Sequence, residues 1–182
     1  MNKPLMIVIT GRPASGKSTL AEILAKEINC PLISRDTLKA GYINTIGVEH
    51  EHLDNSAAMH VYDTFFEVIS LLISKKISVI IEAAFQNHLW QPQLLLLQDV
   101  ADIRIIICDI TPDLAKTRYA DRRLNDLTRD RFHGDNLLVE KGGVHTATFE
   151  HLNMDVPILK VDTTGPYSPD IQQILGFINK RD

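Results

Sequence analysis

Five short apolar runs punctuate the chain: Leu5 to Ile9, Leu32 to Ser34, Ile77 to Ile81, Ile103 to Ile107 and Val156 to Val161. They are close to continuous rather than alternating, as expected of strands buried on both faces of a parallel sheet. The segments between them carry apolar residues at helical spacing. Residues 18 to 28 place Leu20, Ile23, Leu24 and Ile28 on one face, and the pattern stops near Asn29, before Pro31. Residues 55 to 74 form a longer amphipathic pattern through Met59, Tyr62, Phe65, Phe66, Ile69, Leu72 and Ile73. Residues 88 to 100 read as helix provided that Pro92 falls in the first turn. Thr111 as N-cap and Pro112 at the first helical position open another helix, running to about Leu127. A pattern around Gly142-Gly143 predicts helix over 137 to 152, and 168 to 180 closes the chain. The polar stretch from Arg35 to Asp54 predicts a loop with one helical turn. Strands alternating with helices define an α/β three-layer sandwich around a five-stranded parallel sheet.

Between the first strand and the first helix stands Gly11-Arg12-Pro13-Ala14-Ser15-Gly16-Lys17-Ser18-Thr19, the spacing G-x-x-x-x-G-K-[ST] of a P-loop. Strand, glycine-rich turn and helix are all needed, because backbone N–H groups must point inward at an anion at the positive end of the helix dipole. Gly11, Ala14, Ser15 and Gly16 would line the cradle, Lys17 would reach the β- and γ-phosphates, and Thr19 would lie by the α-phosphate. Ser18 would offer its hydroxyl to Mg²⁺. ATP and Mg²⁺ are the implied cofactors.

Ligands of such sheets bind at the carboxyl ends of the strands. Two carboxylates fall there: Asp36, a candidate base for an attacking hydroxyl, and Glu82, a candidate to hold a metal-bound water or share that role. Residues 116 to 131 carry six basic against three acidic side chains. Arg118 and Arg122, four apart on one helix, share a face and would converge on a phosphate from a lid spanning about 116–136.

Bulk properties narrow the class. With 182 residues, 45% of them hydrophobic, the chain reads as one domain, 1–182. The first apolar run is too short for a signal-peptide core, and no stretch approaches a membrane span. Cys30 and Cys108 read as reduced buried thiols, so a cytoplasmic location is expected, as a monomer or homodimer. The cluster His50-Glu51-His52 lacks a third ligand nearby and reads as surface. Asp162-x-x-Gly165 and Asn179-Lys180-x-Asp182 echo the motifs of a switch GTPase, but both stand at the wrong end of the chain.

The residues Gly11 to Thr19, Ser34-Arg35-Asp36 with Lys39, Val79 to Phe85, Arg118-x-x-x-Arg122 and Val161-Asp162-Thr163-Thr164 together resemble a group of small P-loop kinases. It includes polynucleotide 5′-kinase, chloramphenicol phosphotransferase and the zeta-toxin kinases. The resemblance implies strand order 2-3-1-4-5, Asp36 as general base, paired arginines at 118 and 122 on the transferring phosphate, and Thr163 beside the nucleotide. The chain departs from the pattern at Lys39, where the polynucleotide kinases have arginine, and at Glu82, where several relatives have aspartate. An ATP-dependent kinase acting on a small-molecule hydroxyl is the expectation. The alternatives are a polynucleotide 5′-hydroxyl kinase and a non-catalytic nucleotide-binding module. The small molecule is preferred because 41 to 60, the expected acceptor side with 129 to 145, holds Glu49, Glu51 and Asp54 and no lysine or arginine.

Overall fold

The computed structural model describes residues 3–49, 52–125, 132 and 149–180. The first apolar run becomes β1 (Leu5–Gly11), buried at every position after Leu5. It lies at the centre of the sheet, between β3 (Val79–Glu82) and β4 (Asp102–Asp109), with β2 (Leu32–Ser34) and β5 (Ile158–Asp162) at the edges. All pairings are parallel and the order is β2-β3-β1-β4-β5.

Register decides what meets at the carboxyl edge. Ser34 pairs with Glu82, Ile9 with Glu82, Gly11 with Cys108 and Asp109 with Asp162. Successive side chains alternate across the sheet. Met6, Val8, Ile81, Ile105 and Ile107 pack with α3 (Asn55–Ser74) and α4 (Asn87–Leu95), around Phe65 and Trp90. Ile7, Ile9, Ile80, Ile106 and Cys108 pack with α1 (Lys17–Glu27) and α6 (Ile171–Asn179), around Leu20, Leu24, Ile174 and Ile178. Because helices cover both faces, the strands are apolar at consecutive positions.

Arg104 is the exception in β4. It is buried, yet its guanidinium donates to the carbonyl of Phe177 in the last turn of α6 and to Asp102, and it lies over the Phe177 ring. A cation at a helix C-terminus satisfies carbonyls that the helix leaves unpaired.

Helix ends follow their local chemistry. Asp54 accepts from the Ala57 N–H at the start of α3, and Asp170 with Gln173 forms a capping box on α6. The Leu114 N–H reaches the Thr111 hydroxyl at the start of α5 (Pro112–Asn125), as the N-cap reading required.

Several expectations need correction. The polar stretch after Ser34 is a twelve-residue helix, α2 (Arg35–Ile46), which buries just Lys39 and Ile43 and therefore shows almost no hydrophobic period. Pro92 lies in the interior of α4 and not in its first turn. It has no N–H for the His88 carbonyl, and α4 ends at Leu95, before turns that bond Leu97 to Leu94 and Gln98 to Leu95. Residues 149–152 are not helical: the chain there runs past α4, with Leu152 and Met154 in the core and the Asn153 N–H on Asn87. The rest of the helix expected over 137–152 lies outside the described residues, as does the lid beyond Asn125 apart from residue 132. Finally, α3 is by length and composition apolar enough to cross a membrane, contrary to expectation. Its apolar face, including Val61, Phe65 and Ile69, is buried in the core.

Candidate active site

The P-loop turn is shaped by backbone that side chains would obstruct. At Gly11 (φ +154°) a Cβ would lie 2.4 Å from the Cys108 carbonyl oxygen and 2.5 Å from the Ser15 hydroxyl, so no larger residue fits. Gly16 takes a left-handed conformation (φ 79°) at the start of α1, whose first backbone bond runs from the Leu20 N–H to the Gly16 carbonyl. Ala14 also has positive φ (64°), an uncommon conformation for a residue with a Cβ and one that accompanies functional turns. The Ser15 N–H closes the turn onto the Arg12 carbonyl.

Thr163 props this loop from the β5 side. It is buried, and its hydroxyl donates to the Ser15 carbonyl at 2.6 Å. Its own N–H binds the Asp109 carbonyl. Asp162 accepts from the Thr164 backbone N–H at 2.7 Å; that bond, with a Thr164 side-chain bond and then Arg118, holds its carboxyl below the usual range. Asp162 thus shapes the turn that carries Thr163. Cys108 lies beneath the P-loop, where burial pushes its thiol up to about 12, partly opposed by Lys17.

Glu82 gathers the carboxyl edge. It is 1% exposed, not a solvated loop residue. One oxygen accepts from the Ser18 hydroxyl at 3.2 Å and lies 3.7 Å from the Lys17 ammonium; the other accepts from the Ser34 hydroxyl at 2.7 Å. Lys17, the first residue of α1, is itself 8% exposed. A buried carboxylate needs such partners to remain charged. A hydroxyl and a carboxylate oxygen from Ser18 and Glu82 match the hard-oxygen donors of a Mg²⁺ ion that keeps several of its waters. Among the described residues there is no cluster of three metal-ligating side chains.

In front of these groups opens a cleft of about 930 Å³, lined by Lys17, Ser18, Thr19, Asp36, Glu82 and Arg122 among others. Asp36 stands in the first turn of α2, its side chain 44% exposed and 3.5 Å from the Arg35 guanidinium. The two arginines of α5 diverge. Arg122 lines the cleft over the ring of Tyr119, whereas a guanidinium nitrogen of Arg118 donates to the carbonyls of Thr163 and Thr164, both at 2.9 Å. Among the described residues, 32–40 of β2 and α2 line this cleft and none of 41–60 does, since α2 continues as helix and carries the later residues away. A separate hollow of about 550 Å³, lined by Lys3, Asp102 and Arg104, lies at the amino ends of the strands, far from this chemistry.

Sequence reasoning missed the role of Ser34, which stands at the N-cap of α2 but gives its hydroxyl to Glu82 instead of the helix. It also missed Tyr119, for which the three-residue spacing to Arg122 was the available signal.

The strand order, the P-loop and the carboxylate at the end of β3 together define the fold of the P-loop kinases. A family model described as an AAA domain matches residues 6–140, and the chain belongs to that family. A solved structure of a candidate kinase from Chloroflexus aurantiacus J-10-fl is similar over 97% of this chain and 97% of that one, with TM-score 0.80 and 22% identity. The APS kinase of Mycobacterium tuberculosis, solved in complex with AMPPNP and APS, is similar over 99% of this chain and 100% of that one, with TM-score 0.65 and 14% identity. Among curated proteins, a tRNA dimethylallyltransferase from Staphylococcus haemolyticus (strain JCSC1435) is 44% identical over 57 residues, which are 30% of this chain and 17% of that protein. The match thus spans less than a fifth of that enzyme's length.

Proposed function

We propose that this chain is an ATP-dependent phosphotransferase that moves the γ-phosphoryl group of ATP to a hydroxyl of a small molecule. The observation that carries this reading is the hydrogen bond from Ser34 to Glu82. It ties the start of the helix bearing Asp36 to the carboxylate that also meets Lys17 and Ser18, so base and phosphate clamp face one cleft. The kinase folds similar to this one support the same class.

In the proposed reaction the P-loop N–H groups and Lys17 bind the phosphates, and Arg122 faces the γ-phosphoryl oxygens. Ser18 and Glu82 would hold Mg²⁺, which would supply positive charge to neutralise the phosphates. The acceptor hydroxyl, held near Asp36, attacks in line. Its oxygen bonds to the γ-phosphorus as the bond from that phosphorus to the β,γ-bridging oxygen breaks, and the electron pair stays on ADP. The hydroxyl proton passes to Asp36.

The test is a screen with labelled ATP over nucleosides, nucleotides, sugars, sugar acids, antibiotic-like alcohols and oligonucleotide 5′-ends, followed by Asp36→Asn with the best acceptor. The amide keeps the shape but cannot take the proton, so kcat should fall by roughly 10² to 10⁴ with ATP affinity nearly unchanged. A variant that keeps its rate removes Asp36 from the base role. Preferential labelling of an oligonucleotide end would replace the small-molecule reading with the polynucleotide one.

A further inference from the structure

We propose that the hollow of about 550 Å³ at the amino ends of the strands is a second ligand site, which takes a small zwitterion: an α-amino acid with an aliphatic side chain. It shares no lining residue with the catalytic cleft, so its ligand does not depend on the kinase reading. A volume of that order is usual for small-molecule sites.

The starts of β1 and β4, the turn before β5 and the end of α6 all contribute to its walls. Hydrogen bonds between these segments hold them in place. The Asp102 N–H binds the Pro4 carbonyl, the Ile105 N–H binds the Pro157 carbonyl, and the Leu5 N–H binds the Ser78 hydroxyl. The hollow is therefore formed in advance, and a ligand need not order its walls on binding. Its floor is aliphatic: Ala101, Ile103 and Ile178 are each at most 4% exposed. Such a floor suits a hydrocarbon side chain, which gains by leaving water.

Above the floor the charges are mixed and incompletely paired. Lys3 and Arg104 are the cations of the lining, and Asp102 and Asp155 its carboxylates. Arg104 is 3% exposed; its guanidinium donates to the Phe177 carbonyl and, at 3.2 Å, to Asp102, while its Nε is buried with no hydrogen-bond partner. A guanidinium has five N–H donors, so the protein leaves this buried cation short of acceptors. Lys3 gives one N–H to the Gln98 carbonyl and retains two. Asp155 is exposed, and among the described residues it has no hydrogen bond or ion pair. Two cations and two carboxylates sum to no net charge, which gives no general attraction for an anion or a cation. What they complement is a molecule that carries one charge of each sign. The ligand's carboxylate goes to Arg104 and Lys3, its ammonium to Asp155, and its side chain to the aliphatic floor.

The experiment titrates the full chain with L-leucine and with two analogues that each lack one charge, isopentylamine and isocaproate, and follows backbone amide shifts by NMR. Leucine should move the amides of Asp102, Ile103, Arg104, Asp155 and Val156, with a Kd on the order of tenfold below that of either analogue. Asp155→Asn should weaken leucine roughly fivefold and leave isocaproate unaffected. Lys3→Gln should weaken leucine and isocaproate alike and leave isopentylamine unaffected. Both substituted side chains are exposed, so the variants keep the fold. AMPPNP should not displace leucine. No shift of these amides up to about 10 mM leucine overturns the inference. So do analogues that bind as tightly as leucine, displacement by AMPPNP, or unchanged leucine affinity in Asp155→Asn. Each of these outcomes leaves the kinase reading untouched.

Discussion

The hydroxyl of Thr163 donates to the carbonyl of Ser15 at 2.6 Å, joining positions 148 residues apart, so the phosphate loop is supported by the turn after the last strand. The same hydroxyl lies 3.3 Å from the Asp109 carbonyl at the end of β4. The side chain of Thr163 thus holds in shape the loop beside which the nucleotide was expected. Thr163→Val keeps the volume and leaves a buried carbonyl unpaired, which should cost about 1–3 kcal/mol in urea unfolding. A nucleotide Kd raised on the order of tenfold should accompany it, and Thr163→Ser should recover both. A valine variant with wild-type nucleotide affinity would show that the prop is dispensable.

Lys17 is buried and lies 3.7 Å from the Glu82 carboxylate. Lys17→Met should abolish transfer and also destabilise the chain by about 2–4 kcal/mol, because Glu82 loses its counter-charge. Lys17→Met combined with Glu82→Gln should regain most of that stability and none of the activity. Urea titrations of the two variants, set beside a labelled-ATP assay, decide the point. No difference in stability between the single and double variants would mean that Ser18 and Ser34 alone satisfy Glu82.

The divergence of Arg118 and Arg122 separates two effects. Arg118→Ala frees the carbonyls of Thr163 and Thr164 and should act chiefly on KM for ATP. Arg122→Ala removes charge from the cleft and should lower kcat by roughly tenfold or more with a smaller change in nucleotide binding. Steady-state kinetics of both variants at saturating acceptor measure this. Matching losses of kcat would restore the convergent pair that their spacing on one helix face implied.

His151 makes stability depend on pH. Burial holds its imidazole below the ordinary histidine value; Asp109 opposes this, and Lys160 and Arg12 add to it. The folded chain therefore resists protonation that the unfolded chain accepts near about pH 6.5. Its contribution is present above that value and is lost as pH falls from there through the folded pKa. Urea midpoints compared between about pH 7.5 and about pH 5.5 should drop more in the wild type than in His151→Gln. An identical drop in both would assign the pH dependence to other groups.

What the sequence determined by itself is everything that local chemistry specifies. Continuous apolar runs can lie only between two helical layers, and the glycines of 11 to 16 precede a helix and a lysine, so sheet, layers and phosphate loop were legible in order. Asp36 and Glu82 were legible as carboxylates at strand ends. Where packing rather than pattern builds an element, the reading failed. The helix α2 buries two of its side chains and has no period to detect, and Pro92 is carried inside α4 by the contacts of Trp90 and Leu94 with the core. The strand order came from the family resemblance and is the one observed, whereas the side-chain pairings across it were invisible to local pattern. Ser34, Lys17 and Ser18 meet Glu82 because β2, β3 and β1 lie side by side in register, and Thr163 reaches Ser15 because β5 returns next to β4. Tertiary structure alone decided that, among the described residues, 32–40 and not the acidic stretch beyond them line the cleft, since the direction of a helix follows from what it packs against and not from the charges it carries.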